Sequence, residues 1–205
     1  AFTTPDSCFA RLRAAVPDTG EAGAIVETLA RTVEINRPFL AGRNYESNRL
    51  RAAWLRENFH RAWREIRAHG DSARGMLFKF GAGHLDRGLN WTSQYDIGYV
   101  AAAAAEAEGR TTLHALVVGG PGTQHSRFDI RAFAYRPQPV EHAAAEWMAP
   151  VVAALQPGEG AVFDLRALRG PVHDRKLRNL PERLRDAIFG FDLLVVLAGS
   201  TPAVP

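Results

Sequence analysis

The chain has 205 residues, 46% of them hydrophobic, and a single cysteine, Cys8. That length and apolar share suffice for a core without a staple, and one cysteine excludes an internal disulfide framework and a multi-cysteine zinc site. The net charge of +3, from 25 basic against 22 acidic side chains, is interleaved with no lysine or arginine block, whereas nucleic-acid binders concentrate positive charge, so no nucleic-acid partner is expected.

No stretch reaches the ~18 apolar residues that span a bilayer. The alanine run Ala101–Ala105 is bounded by Asp96, Glu106 and Glu108. No membrane partner is therefore expected, and a cytoplasmic location is. The chain opens on Ala1 without an initiator methionine or signal peptide, which leaves room for upstream residues, a targeting segment included.

In chain order, Cys8, Phe9, Leu12, Ala15 and Val16 suggest a short helix closed by Pro17, and Glu21 to Arg37 a second, ended by Pro38. A third and longer helix spans about Glu46 to His69 and stops at Gly70. The period then changes. Met76–Phe80 reads as a strand, Tyr95–Glu108 as a helix, Leu113–Val118 as a strand and Ala132–Tyr135 as a further short strand. Glu141–Leu155 is helical, Ala161–Leu165 a strand, Pro181–Ile188 a short helix and Leu193–Leu197 the last strand. Between them, Gly119 to Arg127 reads as an irregular loop that lines or covers a cleft.

Strands separated by helices of this length indicate parallel crossover units, and the unbroken apolar run Leu193–Leu197 suits a strand covered on both faces. The expected fold is α/β, a mostly parallel sheet flanked by helices. Residues 1–43 form an N-terminal helical segment and residues 44–205 the α/β region that carries the site.

Two elements carry the candidate chemistry. Phe78-Lys-Phe-Gly-Ala-Gly-His84-Leu-Asp86-Arg87 ends an apolar run in two glycines and then presents a titratable ring, with Asp86 and Arg87 behind it as substrate contacts. On the long helix, Leu55, Phe59, Trp63 and Ile66 form the apolar stripe, and four residues before Leu55 stands Arg51. A guanidinium continuing a buried face needs a carboxylate, phosphate or substrate to satisfy it. From Arg51 to His69 the helix rises ~27 Å, and an extended chain from Gly75 to His84 covers ~30 Å. A short turn between them therefore returns His84 toward Arg51. Asn58 lies on the same side of the helix, about two turns deeper, where it braces a polar neighbour or reaches the substrate.

Arg51-Ala-Ala-Trp-Leu55-Arg-Glu-Asn58-Phe59 resembles the R-x-x-x-M-x-x-N helix of erythromycin-esterase-like proteins, with leucine in place of methionine, and Phe78-Lys-Phe-Gly-Ala-Gly-His84 resembles that family's strand and second histidine. Asp96-Ile-Gly-Tyr, Phe163-Asp164-Leu165-Arg166 and Phe191-Asp192 follow in the family's order, so that the likeness runs over roughly residues 44 to 202. The resemblance implies the C-terminal half of a larger α/β hydrolase-like fold that cleaves an ester or lactone by water attack, with no covalent enzyme intermediate. It assigns His84 and Arg51 to orient water or stabilise charge developing on the substrate oxygen. A further histidine and glutamates belong to the first half of such proteins. That half has no counterpart in these residues, so the chain alone is expected to be inactive.

A nucleophile elbow, a zinc-protease helix, a Walker loop and a dinucleotide fingerprint are all absent from the sequence. No cofactor is expected. His84 and Asp86 offer two ligands on one loop, fewer than a stable zinc site takes, so no metal is expected either. His125, with Asp129, is a candidate substrate contact from the long loop. The rival expectation is a non-catalytic module of the same fold that binds a small molecule or a partner chain. An incomplete chain would also leave a sheet edge and an apolar face open, which predicts self-association.

Overall fold

The computed structural model describes residues 3–16, 20–70, 75–129, 134–139, 146–156 and 158–201, without the side chains of His125, Arg127 and Phe128. The first layer is helical: α1 (Asp6–Ala15), α2 (Glu21–Leu40) and α3 (Asn44–Ala68). α2 buries Val26, Val33 and Ile35, and packs on both α1 and α3. Ser47 Oγ donates to the Ile35 carbonyl at 2.7 Å and ties α3 to α2. Pro38 does not end α2, which runs on to Leu40. A proline near a helix terminus forfeits one N–H bond only, and the last carbonyls are recovered by Ala41 N–H to Arg37 and Arg43 N–H to Pro38.

After α3 the chain returns along that helix as an extended run, residues 75–81, without joining a sheet. The expected strand Met76–Phe80 is thus corrected. Phe78 packs against Phe59 with ring centroids 5.9 Å apart, so the run is held by α3 rather than by a strand ladder. The Gly70–Arg74 turn falls largely outside the described residues. One turn of 3₁₀ helix, Ala82–His84, follows the run, and α4 (Ile97–Ala107) lies after an intervening loop.

The main sheet has three strands in the order β1-β5-β4, with β1 at Ala115–Gly119, β4 at Ala161–Asp164 and β5 at Leu193–Leu197. β1 and β5 are parallel, with Ala115 opposite Leu193, but β4 and β5 are antiparallel, with Asp164 opposite Leu193. The sheet is therefore small and mixed, not mostly parallel. The cause is a helix hidden from the periodicity. α6 (Arg166–His173) precedes α7 (Glu182–Gly190), so two helices rather than one separate β4 from β5, and the chain enters β5 reversed. α6 contains Gly170 and Pro171, which read as breakers. Tertiary bonds override them: Arg169 Nε donates to the Ile188 carbonyl at 3.0 Å and Nη2 to that of Phe191 at 2.8 Å.

The stretch expected as an irregular loop turns tightly at Gly122 and continues as β2 (Gln124–Asp129), paired antiparallel with β3 (Ala134–Pro139). Of the expected helix Glu141–Leu155, residues 141–145 lie outside the described residues, and only α5 (Ala149–Val152) is helical among the others.

The core gathers Leu116, Met148, Leu165, Ile188, Phe191 and Leu194 between the sheet and α6 and α7. β5 buries alternate residues rather than both faces: Leu194 and Val196 are buried while Val195 is partly exposed. On the other face Val117 and Val162 flank Val195 in register and are 55% and 64% exposed. One face of the sheet is thus packed and the opposite face carries an open valine row.

Candidate functional site

The segment after the extended run folds tightly against α4 and α7. A Cβ on Gly98, in the first turn of α4, would stand 2.4 Å from the Leu85 carbonyl carbon, so only glycine lets the helix approach the loop this closely. Asn90 locks the loop from the other side. Its Nδ2 donates to the Gly83 carbonyl at 2.6 Å, and its Oδ1 accepts from Thr92 N–H at 2.9 Å and Gln94 N–H at 3.1 Å.

This folding brings His84 to Asp96. The ring Nδ1 lies 2.7 Å from Asp96 Oδ2, and Asp96 Oδ1 accepts from Ile97 N–H at 2.7 Å, so the carboxyl serves the histidine and the start of α4 together. The Asp96 side chain is 2% exposed and that of His84 is 27% exposed. An ionised carboxylate only accepts, so this bond places the ring hydrogen on Nδ1 and turns the Nε2 lone pair of the neutral ring outward. Nε2 has no hydrogen-bond partner among the described residues. Phe80 contacts the ring edge-on, with centroids 6.4 Å apart. Arg56, on α3, donates to the Tyr95 carbonyl and fixes the residue before Asp96.

A second polar cluster adjoins the first. Asp192, buried at the start of β5, accepts from His114 N–H at 2.8 Å, from Arg169 Nη2 at 3.0 Å and from Arg87 Nη2. Burial pushes its carboxyl up, but those three donors outweigh it and hold the group below the usual carboxylate range. His114 Nδ1 meets the Leu85 carbonyl at 2.7 Å and Nε2 meets Thr112 Oγ1 at 3.2 Å. Burial, the largest influence, lowers the pKa of this ring. Because Asp192 precedes β5 and His114 precedes β1, both sit at the amino ends of the parallel pair. The polar groups that adjoin His84 thus gather at the edge opposite to the carboxyl rim where parallel strands ordinarily build sites.

Arg51 is half-buried on α3 and makes no hydrogen bond or ion pair with any described residue, His84 included. Asn58 accepts from Arg61 Nη2 one turn along its own helix, at 2.5 Å. Arg87 gives its guanidinium to Asp192 and to the Thr112 carbonyl, so it holds the amino ends of the strands together. Asp86 is 6% exposed; its Oδ1 accepts from Gly88 N–H at 2.8 Å, and burial raises its pKa. It lines a cavity of about 130 Å³ with Trp91 and Trp147, between whose rings the Arg183 guanidinium stacks at 5.1 and 5.2 Å. His125 belongs to β2, its backbone opposite Gln138, and its side chain lies outside the described residues. No cluster of three or more His, Cys, Asp or Glu groups able to hold a metal occurs among the described residues.

Sequence reasoning did not single out Asp96 as the partner of His84, nor the cluster at Asp192. The available signal for Asp96 was its place just before an apolar helical run, the position of an N-cap acceptor. Behind the His84–Asp96 pair lies a larger cavity, of about 460 Å³, between α3, the extended run and α4. No helix among the described residues is long and apolar enough to cross a membrane. No protein-family profile, curated protein or solved structure matches this chain.

Proposed function

We propose that the chain carries part of a hydrolase site that cleaves an ester or lactone by water attack, as its resemblance to the erythromycin-esterase-like proteins implies. The observation that carries the reading is the His84–Asp96 pair: a partly exposed imidazole oriented by a buried carboxyl at 2.7 Å, its second nitrogen without a protein partner among the described residues. That is the geometry of a general base. Nε2 takes a proton from water as the water oxygen bonds to the carbonyl carbon; the carbon–oxygen bond to the leaving group then breaks, and the proton passes to the departing alkoxide. Asp96 keeps the ring in the productive tautomer and stabilises the imidazolium formed midway. Arg51, unpaired among the described residues, is the cation that the reading assigns to charge developing on the substrate oxygen. The resemblance places further acid and base groups on a preceding half, so the reading concerns the complete gene product.

The test is turnover of p-nitrophenyl esters and simple lactones by that product. His84→Ala should lower kcat/KM by about 10²- to 10⁴-fold with little change in thermal unfolding. Asp96→Asn should lower kcat and distort the pH profile. Unchanged turnover in His84→Ala ends the assignment. The second reading, a small-molecule-binding module without turnover, is favoured by the 460 Å³ cavity alone. It takes over if the complete protein hydrolyses neither class yet binds apolar ligands.

A further inference from the structure

The larger cavity is defined on three sides. α3 contributes Phe59 and Trp63, the extended run contributes Phe78, and α4 presents Gly98, Ala101 and Ala105. Those three recur at helical spacing on one face, and their small side chains leave room that larger residues would fill. The volume of about 460 Å³ falls inside the roughly 300–1,000 Å³ of pockets that bury a small ligand.

The polarity of the lining narrows the occupant. Among the described residues no carboxylate lines the cavity, and the one lysine or arginine that does, Arg110, already has an interaction of its own. Both nitrogens of His114 are engaged, with Leu85 and Thr112. A charged ligand group would lose its hydration there and meet no free counter-charge among the described residues, whereas an uncharged apolar group loses only its contact with water.

The position of the cavity links it to the proposed reaction. Leu85 and Ile97 both line it, and they are the residues that directly follow His84 and Asp96. Phe78 is in the wall, Phe80 lies 6.5 Å from Phe78 and His84 lies 6.4 Å from Phe80, centroid to centroid. We propose that this cavity receives the uncharged, apolar part of the substrate, an acyl chain or an aromatic ring, and so presents the ester carbonyl beside His84. The identification of the occupant as substrate rests on the hydrolase reading; occupancy of the cavity by an apolar group does not.

The experiment titrates the complete protein with N-phenyl-1-naphthylamine, an uncharged apolar fluorophore, and reads the emission. Binding should saturate at one site, and hexyl acetate should compete. Ala101→Leu and Ala101→Phe should weaken binding in that order, the latter by about tenfold or more, with thermal unfolding recorded for each. Non-saturable emission, failure of hexyl acetate to compete, or equal affinity in folded Ala101→Leu and wild type each overturns the proposal. His84→Ala should bind the probe as the wild type does. If it also hydrolyses esters undiminished, the hydrolase reading falls while the apolar site stands.

Discussion

Replacing Asp192 by alanine tests the polar cluster at the amino ends of β1 and β5. The side chain is 5% exposed, and its loss leaves the Arg87 and Arg169 side chains, 28% and 30% exposed, without their shared carboxylate. It also strips the buried His114 N–H of its acceptor. Removing one partner of a buried ion pair costs about 3–5 kcal/mol. Two features place this case at the lower end. Each guanidinium has some access to water, and each keeps backbone partners, the Thr112 carbonyl for Arg87 and the Ile188 and Phe191 carbonyls for Arg169. A loss of about 3 kcal/mol is expected. Asp192→Asn should lose less, since its amide oxygen can still accept from His114. Urea unfolding followed by circular dichroism at neutral pH, with linear extrapolation, measures both. A loss below about 1 kcal/mol in Asp192→Ala would mean that the cluster is solvated and does not join β1, β5 and α6.

Gly98→Ala should destabilise by about 2 kcal/mol despite the better helix propensity of alanine, because the new Cβ meets Leu85 backbone at 2.4 Å; a stabilised variant would refute the close approach of α4. His114 has a pKa depressed below 6.5 by burial, so the unfolded chain binds more protons than the folded one as pH falls past that value. Its stabilisation is present above pH 6.5 and lost below it, so the melting temperature of wild type relative to His114→Gln should drop between pH 7 and pH 5, and parallel profiles would count against burial of a neutral ring. Asp86 has the opposite sign: its pKa is raised above 3.8 by burial, so its favourable contribution is present below that pH and fades as pH rises through the folded value. Asp86→Asn should therefore gain stability relative to wild type as the pH is raised from 3.5 to 7, by the same melting assay. The exposed valine row should make the chain associate, seen as concentration-dependent growth in light scattering, and Val162→Lys should suppress it; equal growth in both would place the contact elsewhere.

Local pattern alone determined much of the scaffold. The helical spacing of Phe59 and Trp63 specifies α3 and the apolar run at Leu193 specifies β5, because a chain that repeats apolar groups at a fixed period has one conformation that gathers them together. The same pattern locates α1 and α2 but not their buried faces, since Leu12, Ile25 and Leu29 are exposed while Val26 and Val33 are buried. His84 also stood out, since two glycines and an imidazole after an apolar run form a local signal. What tertiary structure alone decided was every relation between elements. α6 forms across Gly170 and Pro171 because Arg169 finds acceptors on α7 and at Asp192, and that added helix reverses β4 against β5. Phe78 packs on Phe59 instead of pairing in a sheet, so His84 arises from a helical turn. Asp96 becomes its partner only because Gly98 admits the loop to α4. Hydrogen bonds between residues distant in sequence, such as that from Arg87 to Asp192, depend on which surfaces meet, and no period in the chain encodes that meeting.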